Sequence, residues 1–192
     1  YYIASCVFTW HYPELSQMIQ QYMTAHGIQV VRCCVPKYKL PHFTGLMPDS
    51  YKEQWQSLPD CADFQPGDTV YSLCHNCSAI LEESKPSVTV TSLWEYIASD
   101  GAFPLPDLTG RTMILQDCWR AVRSLLRRMG ISIEELPDNR EQTNFCGVSV
   151  LRPAPPRNLK LAPQRFSRNA NAKDKFRDCT PDEQKQLMTY YC

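Results

Sequence analysis

Five cysteines in the first half of the chain each accompany a short β-prone segment, and this placement constrains the fold more than any other feature. Cys6 lies in the alternating opening Tyr2-Ile3-Ala4-Ser5-Cys6-Val7-Phe8, which predicts a first strand with its cysteine toward the end. Cys33-Cys34 directly follow the strand-like Ile28-Gln29-Val30-Val31, and Cys74-His75-Asn76-Cys77 follows Thr69-Val70-Tyr71-Ser72-Leu73. Between these segments the apolar spacing changes to helical. After Pro13 it falls at Leu15, Met18, Ile19, Tyr22 and Met23 and stops at Gly27. Trp55 and Leu58 suggest a short helix inside a long Pro- and Gly-punctuated connection, and Ser78 to Glu83 continues from the C-x2-C as a helix. Ser87 to Thr91 predicts another strand, and Leu93 to Ser99 another helix. Strands that alternate with helices form a largely parallel sheet, and such sheets collect ligands at the carboxyl ends of their strands.

The opening pattern returns after Gly110. Arg111 to Cys118 reads as a strand ending in cysteine, Ala121 to Met129 as an amphipathic helix capped by Gly130, and Ile131 to Glu134 as the next strand. Asn144-Phe145-Cys146-Gly147 then stands where Cys33-Cys34 stood before, and the interval from Cys118 to Cys146 nearly equals that from Cys6 to Cys33. The expectation is an α/β protein made of two pseudo-repeated Rossmann-like units, one over 1–105 and one over 106–192. Within the second, 151–178 carries Pro153, Pro155, Pro156 and Pro163 among many basic residues and predicts a solvated loop.

Ten cysteines in 192 residues exceed ordinary usage without reaching the density of a disulfide-stapled miniprotein. No apolar run is long enough to span a bilayer, and Tyr1 to Cys6 lacks the basic and hydrophobic regions of a secretory leader. The expectation is a cytoplasmic protein, where thiols stay reduced and clustered cysteines serve as metal ligands or redox groups. Twenty basic residues balance twenty acidic ones, so no overall field favours nucleic acid as a partner. G-x-G-x-x-G, P-loop, G-x-S-x-G and H-E-x-x-H motifs do not occur.

A C-x2-C at a strand-to-helix turn offers two sulfurs to one centre, near a helix N-terminus that favours negative charge. Adjacent cysteines diverge in extended chain, so Cys33 and Cys34 reach one site only if it is larger than a single ion. A polynuclear iron–sulfur cluster meets that demand, whereas tetrahedral zinc needs four ligands. Zinc and a metal-free thiol–disulfide switch at Cys33-Cys34 or Cys74-x2-Cys77 stay open as alternatives.

Taken together, Cys6, Cys33-Cys34 and Cys74-x2-Cys77 resemble the cysteine-rich CCG domain. That domain is found in the cysteine-rich subunit of heterodisulfide reductase and in iron–sulfur subunits of anaerobic glycerol-3-phosphate, lactate and glycolate oxidising systems, and the resemblance spans essentially the whole chain. It implies that these five cysteines ligate a noncubane [4Fe-4S] cluster serving disulfide reduction or electron transfer. It also implies a disulfide or thiol substrate and a ferredoxin-like or flavoprotein electron donor. The chain departs from the pattern at Val35, where the motif has glycine, and at Phe145, where the second repeat should have its first cysteine. Leu187 to Cys192 resembles the strand leading into a C-x2-C, so the register of the duplication predicts two more residues and a further cysteine beyond Cys192. Cys118, Cys146 and Cys192 would then belong to a second site: a cubane cluster, a zinc, or an open substrate site. His11 and His75 are candidates for donating protons or tuning a cluster, while Cys61 and Cys179 read as ordinary small apolar residues.

Overall fold

The structure is a computed structural model that describes residues 1–32, 45–60, 64–115, 120–136, 160 and 180–183. The chain divides into two compact units, Tyr1–Leu93 and Trp94–Cys192.

The first unit is a four-stranded, all-parallel sheet with helices between its strands. Strand β1 (Tyr2–Ile3) leads through α1 (Cys6–His11) and α2 (Pro13–Ala25) to β2 (Val30–Val31). Helix α3 (Asp49–Ser57) precedes β3 (Thr69–Ser72), and α4 (His75–Ser84) connects β3 to β4 (Thr89–Ser92). The strand order is β2-β1-β3-β4, with Tyr2 opposite Val30 on one side and Tyr71 on the other. β3 and β4 pair from Thr69–Thr89 to Ser72–Ser92. The α/β character and the parallel sheet agree with the sequence expectation.

The core of this unit gathers Ile3, Val31, Phe64, Val70, Cys77, Leu81 and Val88, with Tyr1, Cys74 and Val90 packed against it. Both sulfurs of the C-x2-C are therefore built into or against apolar packing. Tyr1 stacks on Phe64 with ring centroids 5.0 Å apart, and the Lys85 ammonium lies 5.5 Å from the Phe64 centroid.

Two local expectations need correction. The alternation from Tyr2 to Phe8 does not run on as a strand: β1 ends at Ile3, and Cys6 opens a helix. Ser5 is the reason, because its side chain accepts the Phe8 N–H at 3.3 Å and caps α1. In α2 the helix lies where the apolar spacing predicts, but Leu15 and Met18 are exposed, whereas Ser16, Gln20 and Met23 face inward. A chain of side-chain hydrogen bonds fills that face. Gln54 donates to Gln20 at 3.0 Å, Gln20 to Ser16 at 3.2 Å, and the Ser16 and Thr9 hydroxyls meet at 2.7 Å. Thr9 passes its own hydroxyl hydrogen to the Ser5 carbonyl at 2.7 Å. Buried polar groups are tolerated when bonded in this way.

The second unit opens with the rest of α5 (Leu93–Ser99) and holds β5 (Thr112–Leu115), α6 (Arg120–Arg128) and β6 (Ser132–Glu135). β5 and β6 pair in parallel from Thr112–Ser132 to Leu115–Glu135. Arg128 donates to the carbonyls of Ile97, Ala98 and Asp100, so a cation closes the carboxyl end of α5. Helices α2 and α6 end alike. Each is followed by a glycine at positive φ, Gly27 and Gly130, and in each the next isoleucine N–H reaches back to the last turn, Ile28 to Met23 and Ile131 to Leu126, both at 3.0 Å. Among the described residues no helix is long and apolar enough to cross a membrane.

Candidate functional site

In an open parallel sheet, the crevice for ligands lies where the strand order reverses, outside the carboxyl ends of the two strands that flank the reversal. Here β1 connects to β2 on one side, while β3 lies on its other side, so the reversal falls between β1 and β3. The residues that leave those two ends are Ala4-Ser5-Cys6 and Leu73-Cys74. Two of the cysteine positions singled out from sequence thus stand at the switch point of the sheet.

Cys74 is the N-cap residue of α4, and its own side chain makes no capping bond. Its backbone is held by the buried Ser72, whose hydroxyl accepts the Cys74 N–H at 3.2 Å and donates to the Cys74 carbonyl at 3.1 Å. Ser78 adds its N–H at 3.0 Å and its hydroxyl at 3.3 Å to the same carbonyl. The Cys74 sulfur, half-buried, is left to the site.

The electrostatics there favour a thiolate. A hydrogen bond from the Cys77 thiol does most to bring the Cys74 thiol down to about 6; burial opposes it, and the backbone N–H groups of Cys77 and Asn76 and the Ser5 hydroxyl reinforce it. At neutral pH this shift favours the thiolate over the thiol. Cys77 itself is buried in the core cluster. The C-x2-C turn therefore pairs an anionic, reachable sulfur with a buried sulfur that donates to it.

Ser5 is a site residue that the sequence patterning hid. It is 4% exposed, caps α1 through its oxygen, and donates its hydroxyl hydrogen to Cys74 across the switch point. A serine immediately ahead of a helix start is a capping signal, but strand-like alternation on either side conceals it. Trp55 supports the same corner from α3 by donating its indole N–H to the Ala4 carbonyl at 3.0 Å. Tyr2 is also absent from the sequence-based candidates: it is completely buried, and among the described residues its hydroxyl has no hydrogen-bond partner.

Cys6 is the first residue of α1 and half-buried. His11 lies in the last turn of α1, exposed, and stacks on Trp10 at 4.1 Å between ring centroids. His75 opens α4, and its side chain lies outside the described set. Cys33, Cys34, Cys61, Cys118, Cys146, Cys179 and Cys192 lie outside the described residues, as does 151–178 apart from Lys160. Among the described residues no group of three or more His, Cys, Asp and Glu side chains is arranged to hold a metal ion. The Cys74 and Cys77 donors nonetheless have the chemistry a thiophilic centre needs: soft sulfur, one with its pKa lowered toward the thiolate, at a helix N-terminus.

No protein-family model, curated protein or solved structure matches this chain.

Proposed function

We propose that the chain is a cytoplasmic iron–sulfur redox protein of the CCG kind, built from two Rossmann-like pseudo-repeats and similar to the cysteine-rich subunit of heterodisulfide reductase. Cys6, Cys33, Cys34, Cys74 and Cys77 would hold the cluster, a noncubane [4Fe-4S] centre on this reading. When bound, that group supplies the electrons for reducing a disulfide or passing charge onward. A ferredoxin-like or flavoprotein partner would deliver them, because the sequence carries no nucleotide-binding fingerprint of its own.

The observation that carries the reading is the order of the sheet. β2, β1 and β3 are adjacent and parallel, and in sequence Cys33-Cys34, Cys6 and Cys74 come shortly after those three strands. The anionic Cys74 adds to it, since thiolates and not thiols ligate iron. The matching glycine-capped β-α-β segments that end in β2 and β6 support the pseudo-repeat. The protein's own contribution would be to hold Cys6 at the start of α1 and Cys74 and Cys77 at the β3–α4 turn, beside the carboxyl ends of the parallel strands. Anaerobic purification followed by iron, sulfide and zinc analysis and EPR tests the proposal. Stoichiometric iron and sulfide with a cluster signal is the expected result, and a protein carrying zinc alone would overturn it.

A second reading is favoured by one observation, the hydrogen bond from Cys77 to Cys74. It is the arrangement of a dithiol that reduces disulfides without metal. The Cys74 thiolate would attack a substrate disulfide and expel one thiolate, and Cys77, after losing its proton, would attack Cys74 to expel the second, leaving a Cys74–Cys77 disulfide. Metal-free protein that cycles between dithiol and disulfide would establish this reading in place of the first.

A further inference from the structure

Ser5 and Cys74 hold corresponding places at the ends of neighbouring strands. β1 and β3 pair in parallel with Ile3 opposite Ser72, and Ser5 and Cys74 come two residues later on each, both with extended backbone (φ −61°, ψ 123° and φ −99°, ψ 121°). Side chains alternate along extended chain, so Ser5 shares the face of Ile3. That is the face on which Ile3 packs with Cys77, and Cys74 lies against the same cluster. Ser5 is 4% exposed and firmly held. Its side-chain oxygen accepts the Phe8 N–H at 3.3 Å, and its carbonyl accepts the Thr9 N–H at 2.9 Å and the Thr9 hydroxyl at 2.7 Å. A hydroxyl that accepts a capping bond keeps its one hydrogen to give, and here it goes to the Cys74 sulfur.

We propose that the Ser5 hydroxyl keeps this bond when Cys74 ligates the cluster, and that Ser5 thereby acts as a positioning residue that raises the reduction potential of that centre. The inference rests on the iron–sulfur reading. Reduction adds negative charge to the cluster and its thiolate ligands, a donor on a ligand sulfur stabilises the reduced form more than the oxidised one, and the potential rises. The cap on α1 holds the donor in place in both redox states.

The test compares wild type, Ser5→Gly and Ser5→Thr, all purified anaerobically, for iron and sulfide per chain, EPR signal and midpoint potential. Glycine still serves at an N-cap but has no donor, whereas threonine retains both roles. The expected result is equal iron and sulfide in all three, with a Ser5→Gly potential more negative by about a tenfold change in the one-electron equilibrium, or about 59 mV, and a Ser5→Thr potential near that of wild type. Equal loading with an unchanged Ser5→Gly potential would overturn the inference and leave the iron–sulfur reading standing. A Ser5→Thr potential as low as that of Ser5→Gly would overturn it too, by assigning the shift to packing. If Ser5→Gly does not load, Ser5→Ala removes the same donor and is measured in its place; failure of both while Ser5→Thr loads would show that Ser5 serves assembly and would refute the role in the potential. Wild-type protein without iron and sulfide would overturn the iron–sulfur reading, and the inference with it.

Discussion

The hydroxyl of Ser5 donates a hydrogen bond to the sulfur of Cys74, joining the turn that leaves β1 to the turn that leaves β3 across the point where the strand order reverses. The same oxygen accepts the Phe8 N–H that starts α1. One small side chain thus ends a strand, begins a helix and stabilises the anionic form of the site cysteine.

Replacing Ser5 with alanine should therefore have two separable effects. Loss of the cap should lower stability by about 1 kcal/mol in urea unfolding. Loss of the donor should raise the Cys74 pKa in the metal-free, reduced chain, seen as slower iodoacetamide alkylation of Cys74 at pH 6–7. An unchanged alkylation profile alongside the lost stability would show that Ser5 only caps.

Cys77 makes the largest contribution to the lowered Cys74 pKa, so its replacements should rank by donor chemistry. Cys77→Val fills the core position but has no donor, and the Cys74 pKa should climb from about 6 toward its ordinary 9.0. Cys77→Ser retains a donor and should leave Cys74 reactive near neutrality. The check is the pH dependence of Cys74 alkylation in each variant; equal profiles would show that the helix and the backbone donors dominate instead.

The depressed pKa also links stability to pH. An acid bound more weakly by protons in the folded state stabilises that state above its unfolded pKa and loses the contribution as pH falls through its folded pKa. For Cys74 the contribution is complete above about pH 9 and disappears on descending to about 6. The stability difference between wild type and Cys74→Ser, measured metal-free under reducing conditions, should shrink steadily from pH 9 to pH 6. A difference that is flat across this window would refute the assigned pKa.

What the sequence made legible was what periodicity and punctuation encode. The helix after Pro13, the helix Leu93–Ser99 and the strand Thr69–Ser72 lie where apolar spacing and Gly27 indicated them, because backbone hydrogen bonding and local packing decide them. The C-x2-C was expected at a strand-to-helix turn, and it is found there. Ser5 and the inward face of α2 were not legible. Cys6 sits in an alternating, β-prone stretch, and the local Ser5 cap that starts a helix there is hidden by that alternation. Ser16 and Gln20 look like surface residues of an amphipathic helix, yet they bury because Thr9 and Gln54, which lie outside that helix, satisfy them. Hydrogen bonding between separate elements leaves no periodic trace.

That chain of bonds has a measurable cost when broken. Thr9→Val keeps the shape but removes the hydroxyl that joins Ser16 to the Ser5 carbonyl. Because the Ser16 side chain is buried, the variant should lose about 1–3 kcal/mol, the penalty of an unsatisfied polar group. The companion Ser16→Ala in the Thr9→Val background should recover part of the loss, since no buried hydroxyl is then left stranded there. A double variant less stable by the sum of two independent losses would show that the hydroxyls do not act as a pair.

The two helix-capping glycines should differ sharply when replaced by alanine, although their backbones are nearly the same. Gly27 has φ +73° and Gly130 has φ +79°, so both substitutions carry the left-handed penalty of about 1–2 kcal/mol. A Cβ on Gly27 meets open space, whereas on Gly130 it would run into the Thr109 side chain and stand 3.0 Å from the Thr109 Cα. The side chain can rotate away, but the backbone atom cannot move without disturbing the turn, where Thr109 is bonded through its N–H and its hydroxyl to Asp107. Gly130→Ala should therefore cost more than Gly27→Ala. The local readout is hydrogen exchange at the amides that close each cap, Ile28 and Ile131. Faster exchange at Ile131 in Gly130→Ala than at Ile28 in Gly27→Ala is expected, and the reverse order would mean that the approach of Thr109 to the second cap is looser than 3.0 Å.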